Sequence, residues 1–76
     1  MLDYQKQYIE FQSKLKQARK DANLSQEQVA IILKKPQSYI SKCETGERRV
    51  DIIELFLFAN LYKKPIKYFI PTFDDL

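Results

Sequence analysis

The chain has 76 residues, of which 45% are hydrophobic and 30% are charged, and its net charge is +3. A chain of this length holds one domain, and no apolar run approaches the ~20 residues needed to cross a bilayer. With a single cysteine, Cys43, and no histidine, the sequence excludes an internal disulfide and the usual ligand sets for zinc. We therefore expect one cytoplasmic domain over residues 1–76, with no metal and no cofactor.

Helical spacing recurs along the chain, whereas glycine and β-turn signals are scarce, so an all-α domain is predicted. The first helix, about residues 4–22, is indicated by apolar residues spaced three and four apart: Tyr8, Phe11, Leu15 and Ala18. Ser25 starts a second helix over about 26–33, because the pattern S-x-x-Q forms a capping box with Gln28.

Pro36 separates the second helix from a third, since proline disfavours helical geometry in the residue before it. The third helix covers about residues 37–45 and ends at Gly46, which suits a left-handed turn. Asp51 then opens a fourth helix, about residues 51–62, with a D-x-x-E form of the capping box. A compact five-helix domain is predicted once the short last helix is added.

That last helix, about residues 65–70, begins at Pro65 and is followed by an acidic tail at 71–76. This end of the chain offers more apolar side chains than its own packing needs. We expect a homodimer interface there, formed by Tyr68, Phe69, Ile70 and Phe73. The alternative is that Phe69 and Ile66 fill the core of a single chain.

The positive charge lies in the middle of the chain. Residues 34–49 contain five basic and two acidic side chains, which accounts for the whole net charge of +3. Basic density of this kind attracts polyanions such as nucleic acids, and an ordinary solvated surface is the alternative.

Residues 24–46 are typical of two short helices joined by a tight corner. The second of them opens with small polar residues and carries Ile40 as its inward-facing residue, while positions 37, 38, 41 and 42 share the opposite face. One side of such a helix docks on a core and the other is free to enter a groove. This is the arrangement of a helix-turn-helix DNA-binding domain.

The chain resembles the Xre/Cro-type helix-turn-helix family, which includes phage repressors and many small bacterial regulators. The similarity covers about residues 11–69 and rests on features in a fixed order: Arg19, Leu24-Ser25-Gln26, Val29-Ala30, Ile40, Glu44-x-Gly46 and Leu55-x-x-Phe58-Ala59. It implies a lambda-repressor-like fold with the third helix in the major groove of double-stranded DNA. Lys34 and Lys63 stand where the family often has glycine, so we expect a differently built corner at Lys34.

A third helix in the major groove supplies base contacts from its outer face: Gln37, Ser38, Ser41 and Lys42. Gln37 suits adenine through N6 and N7, and Lys42 suits the O6 and N7 acceptors of guanine. The resemblance implies that Gln26, Arg48 and Arg49 contact phosphates. We expect further phosphate contacts from Lys35, Tyr39 and Thr45. The resemblance also implies a buried salt bridge between Arg19 and Glu44, which would orient the third helix.

A purely structural role competes with each of these assignments. The ring of Tyr39 would then pack on the domain, and Arg48 or Arg49 would pair with a neighbouring carboxylate, Glu47 or Asp51. Residues around the corner have structural alternatives as well. Gln37 and Ser38 would only cap the helix, and Lys34 and Lys35 would only form a solvated corner. Cys43 would be a small buried hydrophobic residue.

The sequence therefore predicts a transcriptional regulator that binds double-stranded DNA sequence-specifically, as a homodimer on a palindromic operator. An enzyme is not expected, because the chain has no histidine, no glycine-rich phosphate loop and no base beside its cysteine. The competing hypothesis is an antitoxin or adaptor whose acidic and aromatic end, residues 68–76, binds a protein partner.

Overall fold

The computed structural model describes residues 4–72 and contains five α-helices in that range. They are α1 Gln5–Asp21, α2 Gln26–Leu33, α3 Gln37–Thr45, α4 Ile52–Tyr62 and α5 Ile66–Phe69. The bounds differ from the predicted ones by at most one residue at either end. No strand occurs among the described residues, and the all-α fold class is confirmed.

Both capping boxes form. The Ser25 hydroxyl accepts from the Gln28 amide at 3.1 Å, and the Gln28 side chain accepts from the Ser25 amide at 2.8 Å. At α4 the Asp51 carboxylate accepts from the Glu54 amide at 2.8 Å, and Glu54 accepts from the Asp51 amide at 2.9 Å. Each box satisfies two otherwise unpaired amides, which fixes where the helix begins.

Helices α2 and α4 each end in a lysine with left-handed backbone. The φ angle is 58° at Lys34 and 57° at Lys63. In both turns the amide of the following lysine donates to the carbonyl five residues before it, at 2.9 Å after α2 and 3.0 Å after α4. These are the bonds that close a glycine-ended helix, so the expectation of a different corner at Lys34 is corrected.

We expect Lys63→Gly to raise the free energy of unfolding by about 1 kcal/mol, because a left-handed conformation costs a residue with a side chain about that much. The greater freedom of glycine in the unfolded chain offsets part of the gain. Thermal unfolding followed by circular dichroism measures the change. Lys67→Gly, an exposed lysine inside α5, is the matched control and should instead destabilise. An unchanged or lower Tm for Lys63→Gly would contradict the expectation.

All five helices contribute to one core. Its buried apolar residues are Leu15, Ala18, Val29, Ala30, Ile40, Cys43, Leu55, Phe58, Ala59, Tyr62 and Phe69. Helix α1 packs against α3, α4 and α5 and therefore lies at the centre of the domain. Cys43 is a buried member of this core, and burial raises the pKa of its thiol.

The structure changes what α5 can offer to a second copy. Phe69 is fully buried in the core of its own chain, which corrects its assignment to a dimer interface. Tyr68 and Ile66 are partly buried against the same core, and Ile70 is half exposed. Phe73 lies outside the described residues. No helix within residues 4–72 combines the length and apolarity needed to cross a membrane.

Candidate nucleic-acid interface

Helix α3 has two unlike faces. Its inner face is buried and consists of Ile40, Cys43 and Glu44. Its outer face carries the four residues predicted to contact bases, of which Ser41 is partly buried and the others are exposed: Gln37, Ser38 and Lys42. Because α2 packs against α3, the corner between them holds this polar face toward solvent.

Arg19 and Glu44 form a buried, bidentate ion pair between α1 and α3. Arg19 Nε lies 2.7 Å from Glu44 Oε2, and Nη2 lies 3.1 Å from Oε1. The third guanidinium nitrogen, Nη1, donates to the Leu24 carbonyl at 2.9 Å. The hydrogen bond to Glu44 raises the pKa of Arg19. The direction of α3 is thus tied to the central helix and to the loop that precedes α2.

Gln26, the first residue of α2, connects this ion pair to the outer face of α3. Its side-chain amide donates to Glu44 Oε1 at 3.1 Å, and its oxygen accepts from Gln37 Nε2 at 3.5 Å. The second contact is at the long limit of a hydrogen bond, so it contributes little to the stability of the fold. The sequence did not predict these contacts, because they arise where the packed corner brings two helix starts together.

Tyr39 points from α3 toward α4. Its hydroxyl donates to Glu54 Oε2 at 2.7 Å, and its ring stacks on Phe58 with the centroids 6.4 Å apart. Burial, together with the hydrogen bond to Glu54, raises the pKa of Tyr39. The ring therefore packs on the domain, as expected if Tyr39 has a structural role.

Glu54 is a residue of the candidate site whose second role the sequence did not predict. Besides capping α4, its mostly buried carboxylate lies 2.8 Å from Arg48 Nη1. The hydrogen bond from Arg48 lowers the pKa of Glu54 to about 2, and the same bond raises the pKa of Arg48. Arg48 thus pairs with the next helix, not with Glu47 or Asp51. No sequence signal separates the two roles, because an acid at this position serves the cap equally well.

We expect Glu54→Gln to remove a pH dependence of stability. A carboxylate whose pKa falls from 4.5 to about 2 on folding stabilises the protein fully above pH 4.5, and the stabilisation is lost as pH falls toward 2. Wild type should therefore weaken more steeply on acidification through this window than Glu54→Gln, which keeps the cap. Urea unfolding at a series of pH values measures both slopes, with the exposed Glu47→Gln as the control. Parallel curves for wild type and Glu54→Gln would refute the assignment.

The remaining candidate phosphate contacts at the edges of α3 are exposed: Lys35, Thr45 and Arg49. The Arg49 guanidinium stacks 3.5 Å over the Tyr8 ring, and Lys35 Nζ lies 5.3 Å from the Tyr39 ring. A ring holds a cation in place without neutralising its charge. The Thr45 hydroxyl donates to the Lys42 carbonyl at 3.4 Å, at the end of the helix.

The outer side of the corner is positively charged. Its exposed cations are Lys34, Lys35, Lys42, Arg48 and Arg49. Two of the nearby acids face inward, since Glu44 is paired with Arg19 and Glu54 with Arg48, while Glu47 and Asp51 are exposed. A surface of this sign attracts the phosphates of nucleic acids.

Residues 15–69 match the family model described as helix-turn-helix, a span that covers well over half of the chain and most of the core just described. The chain belongs to the Xre-type helix-turn-helix family. No curated protein and no solved structure matches it. This Xre-type protein is a DNA-binding regulator of transcription, and α2 and α3 are its helix-turn-helix.

Proposed function

We propose that this Xre-type protein recognises a specific DNA sequence and binds as a dimer to a palindromic operator, with α3 in the major groove. The observation that carries the proposal is the exposed polar start of α3, held in one direction by the buried pair of Arg19 and Glu44. A helix of fixed direction presents its side chains to base edges in constant register. We place the protein in the cytoplasm with its DNA.

Gln37 and Lys42 read the sequence in this proposal. The amide of Gln37 donates and accepts at once, so it pairs with N7 and N6 of adenine, while Lys42 donates to O6 and N7 of guanine. Gln26 sets the orientation of Gln37 before DNA arrives, through the contact at 3.5 Å. Ser38 and Ser41 have short side chains and discriminate less between bases.

Phosphate contacts flank the reading face. Gln26 lies at the start of α2, where the helix dipole favours an anion. Lys35, Thr45 and Arg49 reach phosphates from the edges of α3. Arg48 uses Nη1 for Glu54 and for the Arg49 carbonyl, and since a guanidinium has five N–H donors, others remain for a phosphate. Tyr39 takes a supporting role here, because its proton is committed to Glu54.

The dimer follows from the size of the reading face. A single helix contacts only a few base pairs, whereas two copies on a two-fold axis read two half-sites about one helical turn, or about 34 Å, apart. The symmetry of the protein then matches the symmetry of a palindromic operator.

Fluorescence anisotropy with a duplex from upstream of the protein's own gene tests the proposal. We expect tighter binding than to a scrambled duplex of the same composition, and a fall in affinity of about 10³-fold or more between about 50 and about 200 mM salt. Equal affinity for both duplexes would mean that the protein binds DNA only through general electrostatic attraction, without sequence specificity. No binding to either would favour the antitoxin or adaptor hypothesis.

A further inference from the structure

Helix α4 is apolar nearly all the way round. Apart from the Tyr62 hydroxyl, Glu54 and Asn60 are the polar side chains among its eleven residues. One face is buried in the core through Leu55, Phe58, Ala59 and Tyr62. A helix that is apolar on every side is normally covered on every side. In the part of the chain that the structure describes, the opposite face of α4 lacks such a cover.

That opposite face is a continuous stripe, which we call the α4 stripe: Ile52, Ile53, Phe56 and Leu57. These side chains are between 48 and 66% exposed. They lie one, three and four residues apart, so they adjoin one another on the helix surface. Together they expose on the order of 400 Å² of apolar surface, which is within the range of the largest such patches on monomers and often marks an interaction site.

We propose that the α4 stripe is the self-association surface of this protein, on which a second copy packs its own α4 stripe about a two-fold axis. The inference rests on the proposed function, which requires two reading helices and therefore two chains. An isologous contact brings the same surface of both copies together, so the surface must be complementary to itself. An uncharged apolar stripe meets this condition, in a chain of which 30% of the residues are charged.

The area agrees with a dimer of two small domains. Two such stripes bury on the order of 800 Å² of apolar surface, which is about two thirds of the roughly 1,200 Å² at which stable interfaces begin. In this proposal the side chains around the stripes supply the rest. The stripe also lies close to the loop between α3 and α4, residues 46–51, which carries the proposed phosphate contact Arg49. Ile53 follows Arg49 by four residues, so it is at most about 14 Å from it along the chain. A two-fold axis at the start of α4 therefore brings both copies of this loop near the centre of the operator.

The α5 end is a poorer self-association surface on the same criteria. Phe69 is buried, and Tyr68 is partly buried beneath two lysines, with Lys14 Nζ and Lys64 Nζ 5.7 and 4.7 Å from its ring. Among the described residues this leaves Ile70 as the exposed apolar side chain of the predicted set.

Sedimentation of the full chain tests the proposal at about 100 μM, where a dimer with a micromolar Kd is nearly fully formed. We expect wild type to have twice the chain mass of 9.1 kDa. The double variant Ile53→Glu/Leu57→Glu should have the mass of one chain. Ile31→Glu/Ile32→Glu on α2 is the matched control, because it changes two exposed isoleucines and adds the same charge. That control, and Ile70→Glu on α5, should stay dimeric.

A monomeric wild type would overturn the proposal, and so would a dimeric α4 variant or dissociation of either control. DNA binding separates this inference from the proposed function. The α4 variant should bind a single half-site within twofold of the α2 control but lose at least about tenfold on the full palindrome. Suppose that the α4 variant alone is monomeric, while neither wild type nor any variant prefers operator over scrambled DNA. The α4 stripe would then be confirmed as the self-association surface, and the proposed function would be wrong.

Discussion

Replacement of Glu44 by alanine is expected to lower the free energy of unfolding by roughly 3–5 kcal/mol. The change leaves the guanidinium of Arg19, a buried residue, without its carboxylate, and it removes the acceptor of Gln26. Because small domains are stable by only about 5–15 kcal/mol, this loss is a large part of the total. Tm should fall by more than about 12 °C, which thermal unfolding followed by circular dichroism measures directly.

Glu47→Ala is the matched control for this prediction. Glu47 lies three residues along the chain and is exposed, so its removal deletes the same charge at a cost below about 0.5 kcal/mol. The double variant Arg19→Met/Glu44→Leu replaces both partners by apolar groups of similar size and should recover most of the lost stability. If Glu44→Ala were as stable as Glu47→Ala, the ion pair would not be what holds α3 in place.

Replacement of Gln37 by alanine should weaken operator binding by about 1–3 kcal/mol, or roughly 5- to 150-fold, and leave Tm unchanged. Gln37 is exposed, and its long contact with Gln26 contributes little to the fold. The loss should be confined to the operator, because a base-reading residue has no sequence to read on a scrambled duplex. Anisotropy titrations on both duplexes at the same salt concentration measure this difference.

Two further variants serve as controls for the comparison of operator and scrambled duplex. Arg49→Ala should weaken binding to operator and scrambled duplex alike, since a phosphate contact carries no sequence information. Gln17→Ala removes an exposed glutamine from α1, where it bonds Asp21 at 2.8 Å, and should leave both affinities unchanged. If Gln37→Ala lost the same affinity for both duplexes, Gln37 would be a phosphate contact and not a base-reading residue.

Helix α4 is the common support of the two proposed surfaces. Its Glu54 carboxylate holds Tyr39 and Arg48 at the DNA-reading side. Its neighbour Ile53 belongs to the α4 stripe on the other side. Since Glu54 and Ile53 are adjacent on one helix, the proposed self-association surface and the proposed DNA-reading surface share a single element.

Much of this architecture could be predicted because its signals are local. Spacings of three and four marked α1, and the capping boxes at Ser25 and Asp51 marked the starts of α2 and α4. The left-handed turn at Gly46 marked the end of α3. Each of these signals depends on interactions within a few residues of the chain, so the sequence pattern is sufficient to predict it.

The contacts of the candidate site were harder to predict from the sequence, because they join residues that are distant in the chain. The Arg19–Glu44 pair was anticipated from the family resemblance, not from spacing. Glu54 as the partner of Arg48 and Tyr39 was not anticipated, and neither was the link from Gln26 to Gln37. Their formation depends on how α2, α3 and α4 pack, and no periodicity encodes that.

By itself the sequence determined the five helices, the inward face of α3 and the concentration of positive charge around residues 34–49. Only the tertiary structure decided that Phe69 belongs to the core and that one apolar face of α4 is left open by the rest of residues 4–72. The physical reason is the same in both cases. Periodicity reports that a face is apolar, but burial depends on which other elements come to rest against it.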